Sequence, residues 1–339
     1  MSDNSDMDVM SYFVWGLRLH ARRVAFVVAV LCVLGHWPHV FAESLAATEL
    51  NQGYANELIN QSVNTNTLLS SQDLISNGRY VQRRHVDPDT LYETFRLPIE
   101  IPLGEPDDIV KPFFSSSAGL LKATGGAADP TGEGADDFSI TRLFAVAAGT
   151  GAYVRLGKGI YVVPGISLAY THLRTRNDFN SSYSQTVLAP YGDDFFSWSM
   201  DILTYSPAMR LVVEQDIAGG HAKYTTSFVH LLNDSVHSTS DRIDVHSASG
   251  LLTNRFELEE PLGITVAGSD TALRPFFQWS NISGKAASGL NVVNLFEVGA
   301  DFISRLKESF LVFSDIYVGA SYVSGDNFEG YHLGVGGHF

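Results

Sequence analysis

The 339-residue chain holds a single cysteine, Cys32, inside an amino-terminal stretch that reads as a leader. Beyond that stretch there is no thiol, which excludes a disulfide framework and thiolate metal centres. Charge is scarce too. Charged residues make up 17% of the chain, against roughly 25% in soluble domains. The 37 acids outnumber the 22 lysines and arginines, for a net charge of −15. Such a surplus repels a phosphate backbone and argues against nucleic acid as a partner. Long apolar runs are missing as well. The longest, Val24 to Leu34, has eleven residues, short of the roughly 20 that a bilayer-spanning helix requires. Yet 45% of the chain is hydrophobic and 12% aromatic. The apolar residues are dispersed, which is how strands that meet lipid escape a hydropathy scan.

The first 42 residues have the layout of a secretory signal peptide. Arg18, Arg22 and Arg23 precede the apolar run, Gly35-His36-Trp37-Pro38 breaks it, and Val40 and Ala42 supply small residues for cleavage after Ala42. Met10 is an alternative start, because the residues before it are acidic. Residues 43–78 are polar and rich in Ala, Asn and Gln, with Leu45, Leu50, Leu58 and Ile59 at loosely helical spacing. They read as a helical or flexible segment and as a candidate pore plug. Residues 79–339 carry the strand pattern.

That pattern is plainest at the end of the chain. Counting back from Phe339 by twos gives Gly337, Val335, Leu333 and Tyr331, while the other set is His338, Gly336, Gly334 and His332. A period of two with one apolar face and one small or polar face marks a strand between unlike surroundings. The same alternation places Ile160, Val162, Pro164, Ile166, Leu168 and Tyr170 opposite Gly165, Ser167, Ala169 and Thr171. It recurs from Leu203 to Val213, Leu273 to Trp279, Phe296 to Phe302 and Phe310 to Tyr322. Short links (Gly157–Gly159, Ser304–Glu308) alternate with long polar ones (Arg174–Phe195, Asn233–Arg242), as a membrane barrel requires. Counting back from Phe339 gives about ten strands beginning near Lys111. Residues 79–101 offer two more, although Pro98, Pro102, Pro106 and Pro112 read as marks of edge strands or connectors. Ala118 to Gly134 reads as a surface loop. The fold class is all-β: a transmembrane, antiparallel, up-and-down barrel. A soluble sandwich or lipocalin-like barrel shows the same alternation, but aromatic residues at strand ends and the terminal Phe favour the membrane form. Unpaired amides in hydrocarbon cost several kcal/mol each, so the sheet must close.

An exported leader, a short polar segment and a barrel ending in Phe resemble the translocator domain of autotransporters. Tyr161–Tyr170 and Leu311–Tyr322 are similar blocks. Too few residues precede the barrel for a β-helical passenger, so the better resemblance is to the solitary outer-membrane autotransporter-like barrel family. That resemblance implies a barrel of about 12 strands, two more than the direct count, and no catalytic residues. It also implies Tyr331, Leu333, Val335 and Phe339 as a carboxy-terminal assembly signal, although Gly337 departs from the usual large apolar residue.

The inward set gathers Arg210, Glu214, Arg255, Glu257, Arg274, Glu297, Asp301 and Asp315 in one lumen, as a lattice of pairs or an ion-selecting ladder. Asp193-Asp194 and Asp244-Val245-His246 offer an alternative, a barrel hydrolase with a water-activating site on external loops. A diffusion porin is the third reading. Gly151–Lys158 resembles a phosphate loop only faintly: its spacing is one residue too long and Gly159 replaces the Ser or Thr. His332 and His338 share the lumen face but read as spacers. No cofactor or metal is expected. The expected partners are outer-membrane lipid, periplasmic chaperones and the barrel-assembly machinery of a Gram-negative bacterium, around a monomer.

Overall fold

The structure, a computed structural model, describes residues 77–83, 89–105, 108–127, 137–178, 180, 197–217, 219–239, 245–266, 269–310 and 313–338. The leader and nearly all of segment 43–78 lie outside the described residues.

Twelve strands follow one another: β1 (Gly78–Gln82), β2 (Thr90–Pro102), β3 (Val110–Ala127), β4 (Asp137–Gly157), β5 (Ile160–Asp178), β6 (Ser199–Ile217), β7 (Gly220–Ser238), β8 (His246–Val266), β9 (Ser269–Gly284), β10 (Asn294–Phe310), β11 (Phe313–Gly325) and β12 (Phe328–His338). Each pairs antiparallel with the next, and β1 pairs with β12, so the sheet closes. The ten strands counted from the carboxyl terminus are β3 to β12, and residues 79–101 supply β1 and β2.

Loop lengths orient the cylinder. At one end the connections after β4, β6, β8 and β10 have two residues each and the one after β2 spans 103–109. At the other end they span 83–89, 128–136, 179–198, 239–245 and 285–293, with one short turn at 326–327. Tight turns are periplasmic and long loops external, so both strand termini, Gly78 and His338, point to the periplasm. Gly159 makes one tight turn: its φ is +67°, and a Cβ there would run into the Glu214 carbonyl oxygen.

Three local expectations fail. Pro98, Pro102 and Pro112 sit inside paired strands, opposite Ser117, Phe113 and Ala152. Each proline removes only one ladder donor, and its neighbours keep the register. Ala118 to Ala127 is not loop but the outer half of β3, because Gly and Ala fit a wall whose neighbours supply the bulk. Ser304 to Glu308 lies within β10, whose turn falls at 311–312, and Asn233 lies within β7.

Which way the side chains point follows the alternation. On β5, Ile166, Leu168 and Tyr170 are exposed outward, while Val163, Ala169 and Thr171 are buried inward. Tyr331, Leu333 and Val335 project outward from β12; Phe339 lies outside the described residues. Aromatic residues ring the outside, and their polar tips are partnered: Tyr224 Oη donates to Asn254 Oδ1 (2.8 Å) and Trp279 Nε1 to Asn294 Oδ1 (3.1 Å).

The seam between β1 and β12 is short, with five residue pairs. Tyr80 stacks on Phe328 across it at 5.5 Å, directly over Gly330. A Cβ at Gly330 would come within 2.4 Å of the Tyr80 ring and 2.5 Å of the Arg79 carbonyl oxygen. Gly330→Val is therefore expected to open the seam and abolish the fast-migrating folded band in unheated gel samples.

On the outward face of β5 and β6, Asp201 accepts hydrogen bonds from His172 (2.7 Å) and Tyr170 (2.8 Å).

Candidate functional site

The lumen is built in two storeys. The periplasmic storey holds the charges. All eight ladder residues, Arg210, Glu214, Arg255, Glu257, Arg274, Glu297, Asp301 and Asp315, lie on the inward register of β6, β8, β9, β10 and β11. Successive inward positions are two residues apart, which puts Arg255 beside Glu257 on β8, Nε to Oε1 at 3.0 Å. Arg274 on β9 lies opposite Asp301 on β10 and grips one carboxylate oxygen with two nitrogens, at 2.9 and 3.2 Å. Arg274 also reaches Glu257 at 3.7 Å, and Arg255 reaches Asp301 at 3.8 Å, so two cations and two carboxylates form a closed square. Arg255 lies 3.7 Å above the Phe276 ring, and Arg274 faces Tyr317 at 5.4 Å. Gly319 leaves the room that Asp301 occupies.

The other ladder members find partners that the alternation did not single out. Arg210 pairs with Glu100 at 3.0 Å, beside Tyr153, which donates to the same carboxylate, and Phe113. Glu214 pairs with Lys223 at 3.6 Å. Glu297 accepts from Ser321 Oγ at 2.5 Å and lies 3.6 Å from His332. Asp315 sits at the periplasmic rim of the same wall, opposite Arg305. The missed partners share one signal, in that each stands at an inward position of its strand. Glu100 was hidden by the flanking prolines and Lys223 by lying close to a turn.

The external storey is apolar, which corrects the expectation of a polar lumen throughout. Every strand contributes: Tyr80, Tyr92, Leu121, Leu143, Leu173, Met200, Ile202, Leu231, Leu251, Ile282, Leu295, Val323 and Phe328 belong to one buried cluster. A short helix, α1 (Lys285–Leu290), folds in from the β9–β10 connection and buries Ala286 and Leu290 in that cluster. Gln82 Nε2 donates to the Leu290 carbonyl at 2.7 Å, and Ala286 N donates to Ser249 Oγ at 3.0 Å, which tie the helix to β1 and β8. A ring of apolar side chains in a pore sheds water and blocks ions.

Of the hydrolase constellation, only His246 lies among the described residues. His246 opens β8 and contacts Asp234 of β7 at 2.7 Å, both about two-thirds exposed. Asp193, Asp194 and Asp244 lie outside the described residues. Gly151 to Gly157 is strand β4 and forms no phosphate loop. Among the described residues, no three His, Cys, Asp or Glu side chains converge as a metal site would.

No curated protein matches the sequence. Among solved structures, the transport unit of the autotransporter AIDA-I from Escherichia coli superposes with a TM-score of 0.52 at 11% identity, over 84% of this chain and 99% of that one. The β domain of the Bordetella autotransporter BrkA gives 0.48 at 11% identity, over 77% and 97%. The translocator domain of NalP from Neisseria meningitidis gives 0.48 at 12%, over 87% and 100%. The likeness to the AIDA-I unit is one of fold. Residues 60–334 match the family described as the solitary outer membrane autotransporter β-barrel domain. The chain is an outer-membrane barrel and belongs to that family.

Proposed function

We propose that this barrel is a shut, transport-type pore without catalysis, with residues 43–78 as its resident occupant. The observation that carries the reading is the apolar ring to which all twelve strands contribute. Side chains alone fill a barrel of about eight strands; a wider one holds water or an occupant, and an apolar ring favours the occupant. Helix α1 covers part of the ring. Leu45, Leu50, Leu58 and Ile59 give segment 43–78 apolar side chains to set against the rest. An open diffusion porin would keep a wetted lumen from end to end, and the ring argues against it. The paired charges below the ring support a bracing lattice over an ion selector, since each cation is matched by a carboxylate.

The exposed His246–Asp234 contact has no described oxyanion donor beside it, so His246→Ala is expected to leave function unchanged. Tyr331, Leu333, Val335 and Phe339 are the proposed assembly signal, read by periplasmic chaperones and the barrel-assembly machinery, and the barrel is proposed to act as a monomer. The test is conductance in planar bilayers, with and without residues 43–76.

A further inference from the structure

One outward row of side chains runs across five neighbouring strands at the external edge of the apolar belt. By register, Arg79 of β1 faces Glu93 of β2, Glu93 faces Lys122 of β3, Lys122 faces Arg142 of β4, and Arg142 faces Arg174 of β5. Four cations and one carboxylate thus stand side by side on a chain whose net charge is −15. Glu93 pairs with Lys122 at 3.2 Å. Elsewhere on the external rim the charges are matched: Arg83 with Glu329, His172 with Asp201, His246 with Asp234, and Arg176 with Asp178. Arg142 and Arg174 are exposed, and among the described residues neither is paired with a carboxylate. Like charges directly opposite each other destabilise a sheet, so this row needs an anion from outside the chain.

What lies beneath the row identifies that anion. One outward position nearer the periplasm, β2, β3 and β4 present Phe95, Leu120 and Phe144 and β5 presents His172, held by Asp201; Val146 and Tyr170 follow, all exposed. Cations directly above an apolar, aromatic wall fit a molecule with phosphates above acyl chains. We propose that Arg142 and Arg174, flanked by Lys122 and Arg79, bind the phosphates of a lipid A-type glycolipid in the external leaflet, whose acyl chains lie along Phe144, Leu120 and Val146. Guanidinium groups are suited to this role because their planar fork bonds two phosphate oxygens at once.

The full-length protein in neutral detergent is incubated with lipid A, with dephosphorylated lipid A, or with inorganic phosphate, and the lipid that co-purifies is measured. A cation at an anionic lipid surface is worth roughly a factor of five in binding. The R142Q/R174Q variant should therefore retain about twenty-five-fold less lipid A than the wild type. Arg176→Gln, which removes a cation already paired with Asp178, should retain as much as the wild type. Dephosphorylated lipid A should bind the wild type no better than lipid A binds the double variant. Heat-modifiable migration verifies that each variant is folded, and the comparison of the two lipids on wild-type protein needs no variant. Equal retention by the double variant, equal binding of dephosphorylated lipid A, or full displacement of lipid A by equimolar inorganic phosphate would each overturn the proposal.

Discussion

Removing residues 43–76 is expected to convert a silent barrel into one that conducts ions in discrete steps. The deletion spares Asn77, whose carbonyl accepts from Leu333 N at 3.2 Å and whose side-chain oxygen accepts from Arg96 N at 2.7 Å, so the β1 seam keeps its anchors. Silence is expected of the wild type because the external storey is lined by apolar side chains from all twelve strands and capped in part by α1. An occupied apolar ring excludes water, and ions do not cross a dry constriction. Without its occupant, the ring surrounds a space wider than its own side chains fill, and water enters. Deleting α1 as well should raise the conductance further, because Ala286 and Leu290 then leave the mouth. If the deleted form stays silent while still migrating as a folded barrel, the ring closes on itself and the amino-terminal segment is no plug.

The second large effect concerns the square of Arg255, Glu257, Arg274 and Asp301. Arg274→Ala should destabilise the barrel by about 3 kcal/mol, the cost of leaving buried carboxylates without their cation. The side chains of Arg274, Glu257 and Asp301 are only 13%, 10% and 9% exposed, so water cannot replace the lost guanidinium. The R274A/D301A double variant removes one charge of each sign and should recover much of the loss, since a missing pair costs less than an orphaned partner. Urea unfolding in lipid vesicles, followed by the folded gel band, measures both. Equal stability of Arg274→Ala and the wild type would show that the square is solvated and does no bracing.

The fold was legible because lipid and lumen impose opposite demands on alternate residues. β5 and β6 show this best, with Leu168 and Tyr205 facing out between Ser167 and Ser206 facing in. The ladder was legible for the same reason, since a charge among outward apolar residues has only the lumen to face. The apolar ring was not legible. Leu143 stands between Arg142 and Phe144, and Leu173 between His172 and Arg174, so near the external rim the polarity of the two faces inverts and alternation no longer tells in from out. The six-residue helix α1 was too short to leave a helical period. In Ala118–Ala127 the adjacent Leu120 and Leu121 break the alternation, and the Gly and Ala on either side declare no face. The pairing of Glu214 with Lys223 depends on strand register and that of Arg210 with Glu100 on the curvature that brings β6 near β2, and spacing within one strand supplies neither.

The claim beneath all of this is that lipid touches one face of each strand while the other looks into a closed cylinder. Because Cys32 is the chain's only cysteine and precedes the first strand, single cysteines can be placed anywhere after it in a Cys32→Ser background. A fluorophore attached in turn at positions 164 to 171 of β5, with the protein in vesicles, gives the direct test. Quenching by a lipid-dissolved agent should be strong at 164, 166, 168 and 170 and weak at 165, 167, 169 and 171. Uniform quenching, or the reverse alternation, would contradict the barrel.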